Sequence, residues 1–163
     1  MSDEASRELS EIVIRPFTIG DQAEARTLIL AGLGEHWGWI DETKNPDVDH
    51  IAAHYAGETF LIARLGDQVV GTGALIHEQD GAARIVRMSV EKSLRRAGIG
   101  SRILRALIAA ARQRGYQRIV LETTATWDDA IDFYKRHGFR VIGVWDGDMH
   151  FERDIDQEEE AVI

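Results

Sequence analysis

The residues best suited to chemistry in this sequence are two arginines followed by two closely spaced glycines, Arg95-Arg96-Ala97-Gly98-Ile99-Gly100. An alternating run, ARIVRMSV, precedes them and apolar residues at helical spacing follow, so the glycines stand at a predicted strand-to-helix turn. Glycine allows a tight turn, and the N–H groups that begin a helix point outward toward an anion. The arrangement predicts a pyrophosphate site, although an ordinary turn with incidental arginines would have the same spacing.

Two other kinds of phosphate-binding turn are excluded by the residues present. No Gly-Lys-Ser or Gly-Lys-Thr follows the glycines, as a Walker loop requires, and the G-x-G-x-x-G spacing of a dinucleotide fold is absent.

Charge is distributed unevenly along the chain, whose formal net charge is −9. Residues 84–118 hold ten Arg or Lys and one Glu, a pattern typical of anion binding, whereas residues 34–58 hold six acids and one Lys. Residues 1–10 and 154–163 are acidic and lack periodic apolar residues. We therefore predict two disordered acidic tails and a single domain over residues 11–153.

Composition bounds the class of protein. The 163 residues are 44% hydrophobic and 29% charged, which is typical of one globular domain. No apolar run approaches the roughly 18 residues of a membrane span, and the N-terminus lacks a signal-peptide pattern, so we expect a cytoplasmic protein with no membrane partner. The absence of cysteine excludes disulfides, cysteine nucleophiles and thiolate metal sites.

The periodicity of the apolar residues predicts the order β-α-α-β-β-β-α-β-α-β-β. The first helix is expected over Gln22–Leu33, with Asp21 as its N-cap and Gly32 and Gly34 as its stop, followed by a loop and a short helix opened by Pro46. Three meandering strands and a β-α-β crossover predict a mixed, mostly antiparallel sheet in an α/β (α+β) fold.

Three matches in this context resemble the GNAT superfamily of N-acetyltransferases. Arg95, Gly98 and Gly100 fit its signature Arg/Gln-x-x-Gly-x-Gly/Ala. The segment IVIRPFTIGD resembles the first strand and turn of the family, and AIDFYKRHGF resembles its penultimate helix and following strand. Together they span most of residues 11–153. The resemblance implies the acyl-CoA N-acyltransferase fold, with acetyl-CoA as co-substrate.

The resemblance also implies which residues contact acetyl-CoA. Backbone N–H groups of the turn would bind the pyrophosphate; these belong to Arg95, Arg96, Ala97, Gly98, Ile99, Gly100 and Ser101. The strand edge over Arg87–Val90 would pair with the pantetheine arm through the main chain of Met88, Ser89 and Val90. An N–H group near Val90 would hold the thioester oxygen, because attack on a thioester creates an oxyanion that a fixed donor stabilises.

Tyr134 matches the family tyrosine that protonates the departing thiolate. Its unperturbed pKa of about 10 keeps the proton available at neutral pH. The alternative is an aromatic core residue with a polar tip. The sequence departs from the family at Trp127, where many members have asparagine; Thr126 or Asp128 could substitute.

The general base is open among several residues, with Glu122 the first choice. Asp148 and His150 would share one face of the last strand, and Glu35 and His36 lie near the expected acceptor. A strand-end carboxylate in a purely structural hydrogen bond is the competing interpretation of Glu122.

Four residues are predicted to bind the acceptor: Glu35, His36, Trp37 and Asp148. Trp37, Trp39 and the acids of Glu35–Asp49 form an aromatic and acidic wall, which favours a cationic amine. Two tryptophans buried beneath a solvated loop would explain the same pattern. His50 and His54 have helical spacing, but without a third ligand we predict no metal.

We therefore expect an enzyme that transfers acetyl from acetyl-CoA to a primary amine of a small molecule or peptide, by direct attack in a ternary complex. A non-catalytic acyl-CoA-binding or sensing module is the alternative, and the presence of Tyr134 disfavours it. A nucleic-acid partner is not expected, because a glycine turn interrupts the basic stretch and the rest of the chain is acidic. A homodimer is compatible with the sequence but does not follow from it.

Overall fold

A computed structural model describes residues 11–37 and 45–156, without the side chains of His36 and Trp37. The expectations for both acidic tails fall mostly outside these ranges, and those for Trp39 and its acidic neighbours Asp41 and Glu42 fall wholly outside them. The described residues form two compact units. One contains those up to Ala74 together with Arg87–Leu107, and the other contains Leu75–Val86 and the residues from Ile108 onward.

The predicted order of helices and strands is confirmed within the described ranges. Seven strands form one sheet in the order β1-β2-β3-β4-β5-β7-β6. The strands are β1 (Val13–Pro16), β2 (Thr59–Leu65), β3 (Gln68–His77), β4 (Ala82–Val90), β5 (Arg118–Thr124), β6 (Arg140–Trp145) and β7 (Asp148–Asp154). The helices are α1 (Gln22–Trp37), α2 (Ile51–His54), α3 (Ile99–Gln113) and α4 (Asp128–Arg136). Short 3-10 turns cover Ile19–Asp21, Pro46–Asp49 and Lys92–Leu94.

The sheet is mixed, as predicted. β4 and β5 run parallel, as expected for strands joined by the crossover helix α3, whereas β1 with β2, β5 with β7 and β6 with β7 run antiparallel. None of the helices in the described ranges has an apolar stretch that could span a bilayer.

The first unit packs α3 closely against β3 at two glycines. A Cβ atom at Gly71 would lie 2.7 Å from Ile103, and one at Gly73 would lie 2.7 Å from Ile103 and 2.6 Å from the sulfur of Met88. Any larger residue would push the helix away, so these glycines fix the position of α3 and of the turn that precedes it.

Helix α1 is longer than predicted, because Gly32 and Gly34 do not end it. The helix continues to Trp37, so Glu35, His36 and Trp37 are helical rather than part of a loop. A Cβ at Gly32 would lie 3.0 Å from Ser89 Oγ. Gly32 is therefore a point of close approach between α1 and β4, and its packing offsets the low helix propensity of glycine.

Asp21 is not the simple N-cap of α1 that the sequence predicted, because it is the last residue of the 3-10 turn before that helix. Thr18 is the cap of the preceding 3-10 turn, and its N–H donates to Asp21 Oδ2 at 2.8 Å in a capping box. The buried Asp21 carboxylate also accepts hydrogen bonds from Arg15 and Arg64 at 2.8 to 3.0 Å. Burial alone would raise the pKa of Asp21, but the hydrogen bonds from Arg15 and Thr18 lower it to about 2.

The second unit places α4 over β7, with Tyr134 against Phe151. Its last strand reaches Asp154, and the next residue, Ile155, is buried and donates its N–H to Gln117 O at 3.0 Å. The folded region therefore extends beyond the predicted boundary at residue 153.

Candidate active site

The predicted turn lies between β4 and α3 and is built from residues with unusual backbone angles. Glu91 caps the 3-10 turn Lys92–Leu94 by accepting a hydrogen bond from the N–H of Ser93 at 2.9 Å. Arg96 and Gly98 then adopt positive φ values of 65° and 90°. The buried Ile99 anchors the start of α3 in the core. The turn is thus held at both ends by the protein itself.

The geometry of this turn fits a pyrophosphate group. Arg102 donates its N–H to Gly98 O at 3.1 Å, which closes the first turn of α3, so the preceding N–H groups of Ile99 and Gly100 have no acceptor within the helix. A Cβ at Gly98 would meet nothing within 4 Å, so the space over the turn is open. A helix start with open space and exposed arginines can hold an anion.

Arg95 is paired with Glu35, a residue that the sequence placed at the acceptor wall. Arg95 Nη1 lies 3.1 Å from Glu35 Oε1, and its other terminal nitrogen contacts the second carboxylate oxygen. Lys92 Nζ lies 3.8 Å from the same carboxylate. The side chain of Glu35 is therefore directed to the turn, where it balances part of the positive charge.

The side chains of Met88 and Ser89 point in opposite directions from β4. The Met88 side chain lies beside Gly73 of β3, on the side of the sheet that α3 covers. Ser89 Oγ lies 3.5 Å from the carbonyl oxygen of Leu28 in α1, on the other side. The register between β4 and β5 pairs Ala82–Arg84 with Arg118–Val120. The main chain of residues 88–90 lies beyond that register, which suits the predicted role of a strand edge.

Arg87, directly before these residues, has a left-handed backbone with φ of 57°. Such a conformation costs a residue other than glycine roughly 1–3 kcal/mol and persists only where the surroundings impose it. No sequence signal pointed to this conformation, since arginine is not a residue that favours it.

Tyr134 is buried in the second unit. Its ring packs against Phe133, Phe139 and Phe151, with centroids 5.2 to 5.9 Å apart. Burial raises the pKa of Tyr134 above its ordinary value, so the hydroxyl keeps its proton at neutral pH. The structure is compatible with both interpretations of this residue, the packed aromatic and the proton donor.

Glu122 lies opposite His150 in the antiparallel pairing of β5 and β7, and an ion pair joins its carboxylate to Arg84. Directly paired residues project on the same face of the sheet. The ring of Trp145 stacks on His150 with centroids 3.6 Å apart and planes 8° apart. Of the buried side-chain nitrogen and oxygen atoms in the described part of the chain, His150 Nε2 is the one without a hydrogen-bond partner.

The remaining predicted site residues fall in different places. Asp148 begins β7 opposite Thr124 and Trp145. His36 and Trp37 end α1, and their side chains lie outside the described part of the structure. His50 precedes α2, which begins at Ile51, and its carbonyl oxygen accepts a hydrogen bond from the N–H of His54 at 2.9 Å. No group of three His, Asp or Glu suited to a metal ion occurs within residues 11–37 and 45–156.

Comparison with known proteins gives a consistent result. The sequence profile of the acetyltransferase (GNAT) family matches residues 23–139. The chain belongs to this family. It is 32% identical over 106 residues to the probable N-acetyltransferase 14 of Xenopus tropicalis, a match that covers 63% of this chain and 52% of that protein. Matches to this and other curated relatives span between 35% and 63% of the relatives' length.

Solved structures show the same GNAT fold. An acetyltransferase of the GNAT family from Staphylococcus aureus Mu50 superposes with a TM-score of 0.81 at 24% identity, covering 89% of this chain and 99% of that one. The PaiA N-acetyltransferase from Thermoplasma acidophilum, solved in complex with coenzyme A, gives 0.77 at 16% identity, covering 88% and 98%. The predicted fold class is confirmed.

The GNAT profile covers the glycine turn and Tyr134 and ends at Phe139. The strands that carry Trp145, Asp148 and His150 lie beyond the matched residues. Sequence analysis did not single out Trp145. The Gly-x-Trp spacing of Gly143 and Trp145 was an available signal, because a Cβ at Gly143 would collide with the Trp145 ring.

Proposed function

We propose that this chain transfers the acetyl group of acetyl-CoA to a primary amine of a small molecule or peptide, by direct attack in a ternary complex. The observation that carries the proposal is the open glycine turn at the start of α3, where the N–H groups of Ile99 and Gly100 and the side chains of Arg95 and Arg96 offer donors to a pyrophosphate. The N–H groups of Arg95 and Ala97, which the sequence also suggested, instead donate to Lys92 O and Leu94 O at 3.4 Å within the turn. Membership of the GNAT family supports the same assignment.

In this proposal the main chain of Met88, Ser89 and Val90 holds the acetyl-pantetheine arm. An N–H group near Val90 donates to the thioester oxygen and stabilises the negative charge that develops when the amine attacks the carbonyl carbon. The C–S bond then breaks, and the coenzyme A thiolate takes a proton from the Tyr134 hydroxyl, which burial keeps protonated.

The attacking nitrogen must lose a proton, and Glu122 is the proposed base. Its ion pair with Arg84 commits part of the carboxylate, so His150, which faces it across the β5–β7 pair with a buried ring nitrogen free of partners, is the alternative. Replacing Glu122 by Gln and His150 by Asn, each alone, distinguishes them. The pH profile of kcat should lose its ascending limb, where the base loses its proton as the pH rises, only in the variant that lacks the base.

The proposed acceptor is an amine. Fewer acidic residues are available to attract a positive charge on it than the sequence suggested. Two acids of the acidic segment, residues 34–58, are already paired within the protein: Glu35 with Arg95 and Asp47 with Arg87. Their charges are partly neutralised by protein cations, so attraction of a cationic acceptor rests on other acids and on exposed aromatic rings such as Trp145.

A panel of amines with acetyl-CoA tests the proposal. We expect release of free thiol that depends on the amine, together with an acetylated product detected by mass. Binding of acetyl-CoA without amine-dependent turnover across peptides, polyamines, aminoglycosides and amino acids would instead favour the acyl-CoA-binding module.

A further inference from the structure

Arg87 stands apart from the other described residues with a left-handed backbone that are not glycine. Asp80 and Asp146 lie in turns and Arg96 lies in the turn before α3, whereas Arg87 lies inside a strand, β4. Backbone outliers of this kind persist where surrounding contacts impose them, and they occur frequently beside functional sites.

The side chain of Arg87 is held by the segment that follows α1. Its Nε and one terminal nitrogen donate to the two carboxylate oxygens of Asp47 at 2.8 and 2.6 Å, and the same terminal nitrogen lies 3.2 Å from Asn45 Oδ1. The Tyr55 hydroxyl donates to Asp47 Oδ2 at 2.6 Å. The side chains of Arg87 and Asp47 are only 20% and 12% exposed, so this is a mostly buried, bidentate ion pair.

The main chain of Arg87 is held from the neighbouring strand. The hydroxyl of Thr72, a fully buried residue of β3, donates to the carbonyl oxygen of Arg87 at 2.7 Å. The side chain and the carbonyl of Arg87 are thus fixed independently, which is what a conformation that is unfavourable in isolation requires.

The ion pair persists across the physiological pH range. Burial alone would raise the pKa of Asp47, but its hydrogen bonds from Arg87 and Tyr55 hold that pKa below the usual value. Burial alone would lower the pKa of Arg87, but Asp47 raises it. Both groups stay charged, so the contact is a permanent structural clamp and not a pH switch.

We propose that Asp47, Tyr55 and Thr72 are positioning residues, which hold Arg87 in its left-handed conformation and so direct the main chain of Met88–Val90 toward the acetyl-pantetheine arm. A left-handed residue interrupts the regular alternation of a strand, so its release would change the direction of the N–H groups that follow. This inference rests on the proposed function, which assigns those N–H groups to the thioester.

The variant that tests the clamp is Asp47→Asn, which keeps the shape of the side chain and removes its charge. The matched control is Asp49→Asn, which removes the same charge from the same 3-10 turn and breaks a 2.8 Å ion pair with Arg26 instead. Two ligands distinguish an effect on the pantetheine arm from a general loss of structure at the binding site. One is acetyl-CoA, and the other is 3′-phospho-ADP, which is the nucleotide half of coenzyme A and lacks the pantetheine arm.

For Asp47→Asn we expect kcat/KM for acetyl-CoA to fall about tenfold or more, because the reacting groups are no longer held in position. The Kd of 3′-phospho-ADP should change by less than about twofold. Asp49→Asn should leave both quantities within about twofold, because exposed ion pairs contribute little. The proposal would be overturned if Asp47→Asn weakened 3′-phospho-ADP binding as much as it lowered kcat/KM for acetyl-CoA. It would also be overturned if Asp47→Asn and Asp49→Asn had the same kcat/KM.

A second pair of variants tests the backbone directly. Arg87→Ala and Arg87→Gly both remove the guanidinium, but glycine adopts a positive φ without penalty. We expect Arg87→Gly to keep a several-fold higher kcat/KM for acetyl-CoA than Arg87→Ala, measured where circular dichroism shows both folded. Indistinguishable kcat/KM values would contradict control through the backbone. Failure of the wild-type protein to bind acetyl-CoA or 3′-phospho-ADP would refute the proposed function itself, a separate outcome.

Discussion

Replacing Glu35 by glutamine should tighten the binding of acetyl-CoA, because the carboxylate occupies the guanidinium that the pyrophosphate is proposed to take. Arg95 contacts both oxygens of Glu35, and the two side chains are 39% and 26% exposed. An ion pair this exposed contributes about 0.2–1 kcal/mol. Removing the competitor should therefore lower the Kd of acetyl-CoA by about 1.4-fold to 5-fold, since about 1.4 kcal/mol corresponds to a factor of ten.

Titration calorimetry at about 0.02 M and about 0.3 M salt measures this effect and its screening. The gain should shrink at the higher salt concentration. Asp49→Asn is the control, because it removes the same charge from the acidic segment while leaving Arg95 paired. A gain shared by both variants would assign the effect to net charge alone.

The opposite sign would refute the reasoning. If Glu35→Gln weakens acetyl-CoA binding, the ion pair orients Arg95 for the phosphate and does not compete with it. The effect should also vanish in the background of Arg95→Ala, where no guanidinium remains to be released. A gain that survives in that background would contradict competition at Arg95.

Three further outcomes are expected. Gly98→Glu should abolish measurable acetyl-CoA binding in calorimetry, because its side chain enters the open space over the turn; Gly57→Glu, at a similar positive φ with equally open space, should lose comparable stability but keep the affinity. Tyr134→Phe should lower kcat by roughly 10²-fold with little change in the Kd of acetyl-CoA, whereas Tyr116→Phe should leave both unchanged; a fast Tyr134→Phe enzyme would assign that residue to packing. Asp21→Asn should lower the free energy of unfolding by about 2 kcal/mol at pH 7, because a depressed pKa stabilises the fold above the unfolded value of 3.8. In the wild type that contribution is lost as the pH falls from about 4 to about 2, so urea unfolding of the variant should lack this part of the pH dependence.

Several features of the fold could be predicted because their signals are local. The strand before the turn, the glycines within it and the apolar stripe of α3 follow one another in the sequence. Each can be identified from the spacing of a few neighbouring residues. The same holds for α4, which the sequence predicted from Asp128 and which ends one residue before His137. Such signals need no knowledge of distant partners.

The length of α1 shows where local signals fail. Gly32 predicted an end to the helix from its propensity, but the glycine is needed for the approach to Ser89, which is far away in sequence. A glycine that ends a helix and a glycine that allows close packing look the same in a single sequence, and only the neighbouring strand distinguishes them.

Local residue patterns were enough to predict the order of helices and strands, the turn between β4 and α3, and the family features that include Tyr134. Which charged side chains meet depends on the folded chain. Arg87 pairs with Asp47 across 40 positions and Arg95 with Glu35 across 60, and His150 faces Glu122 only because β5 and β7 adopt one register. Side chains this far apart in the chain become neighbours through strand pairing and helix packing, which depend on the whole core and not on any local pattern.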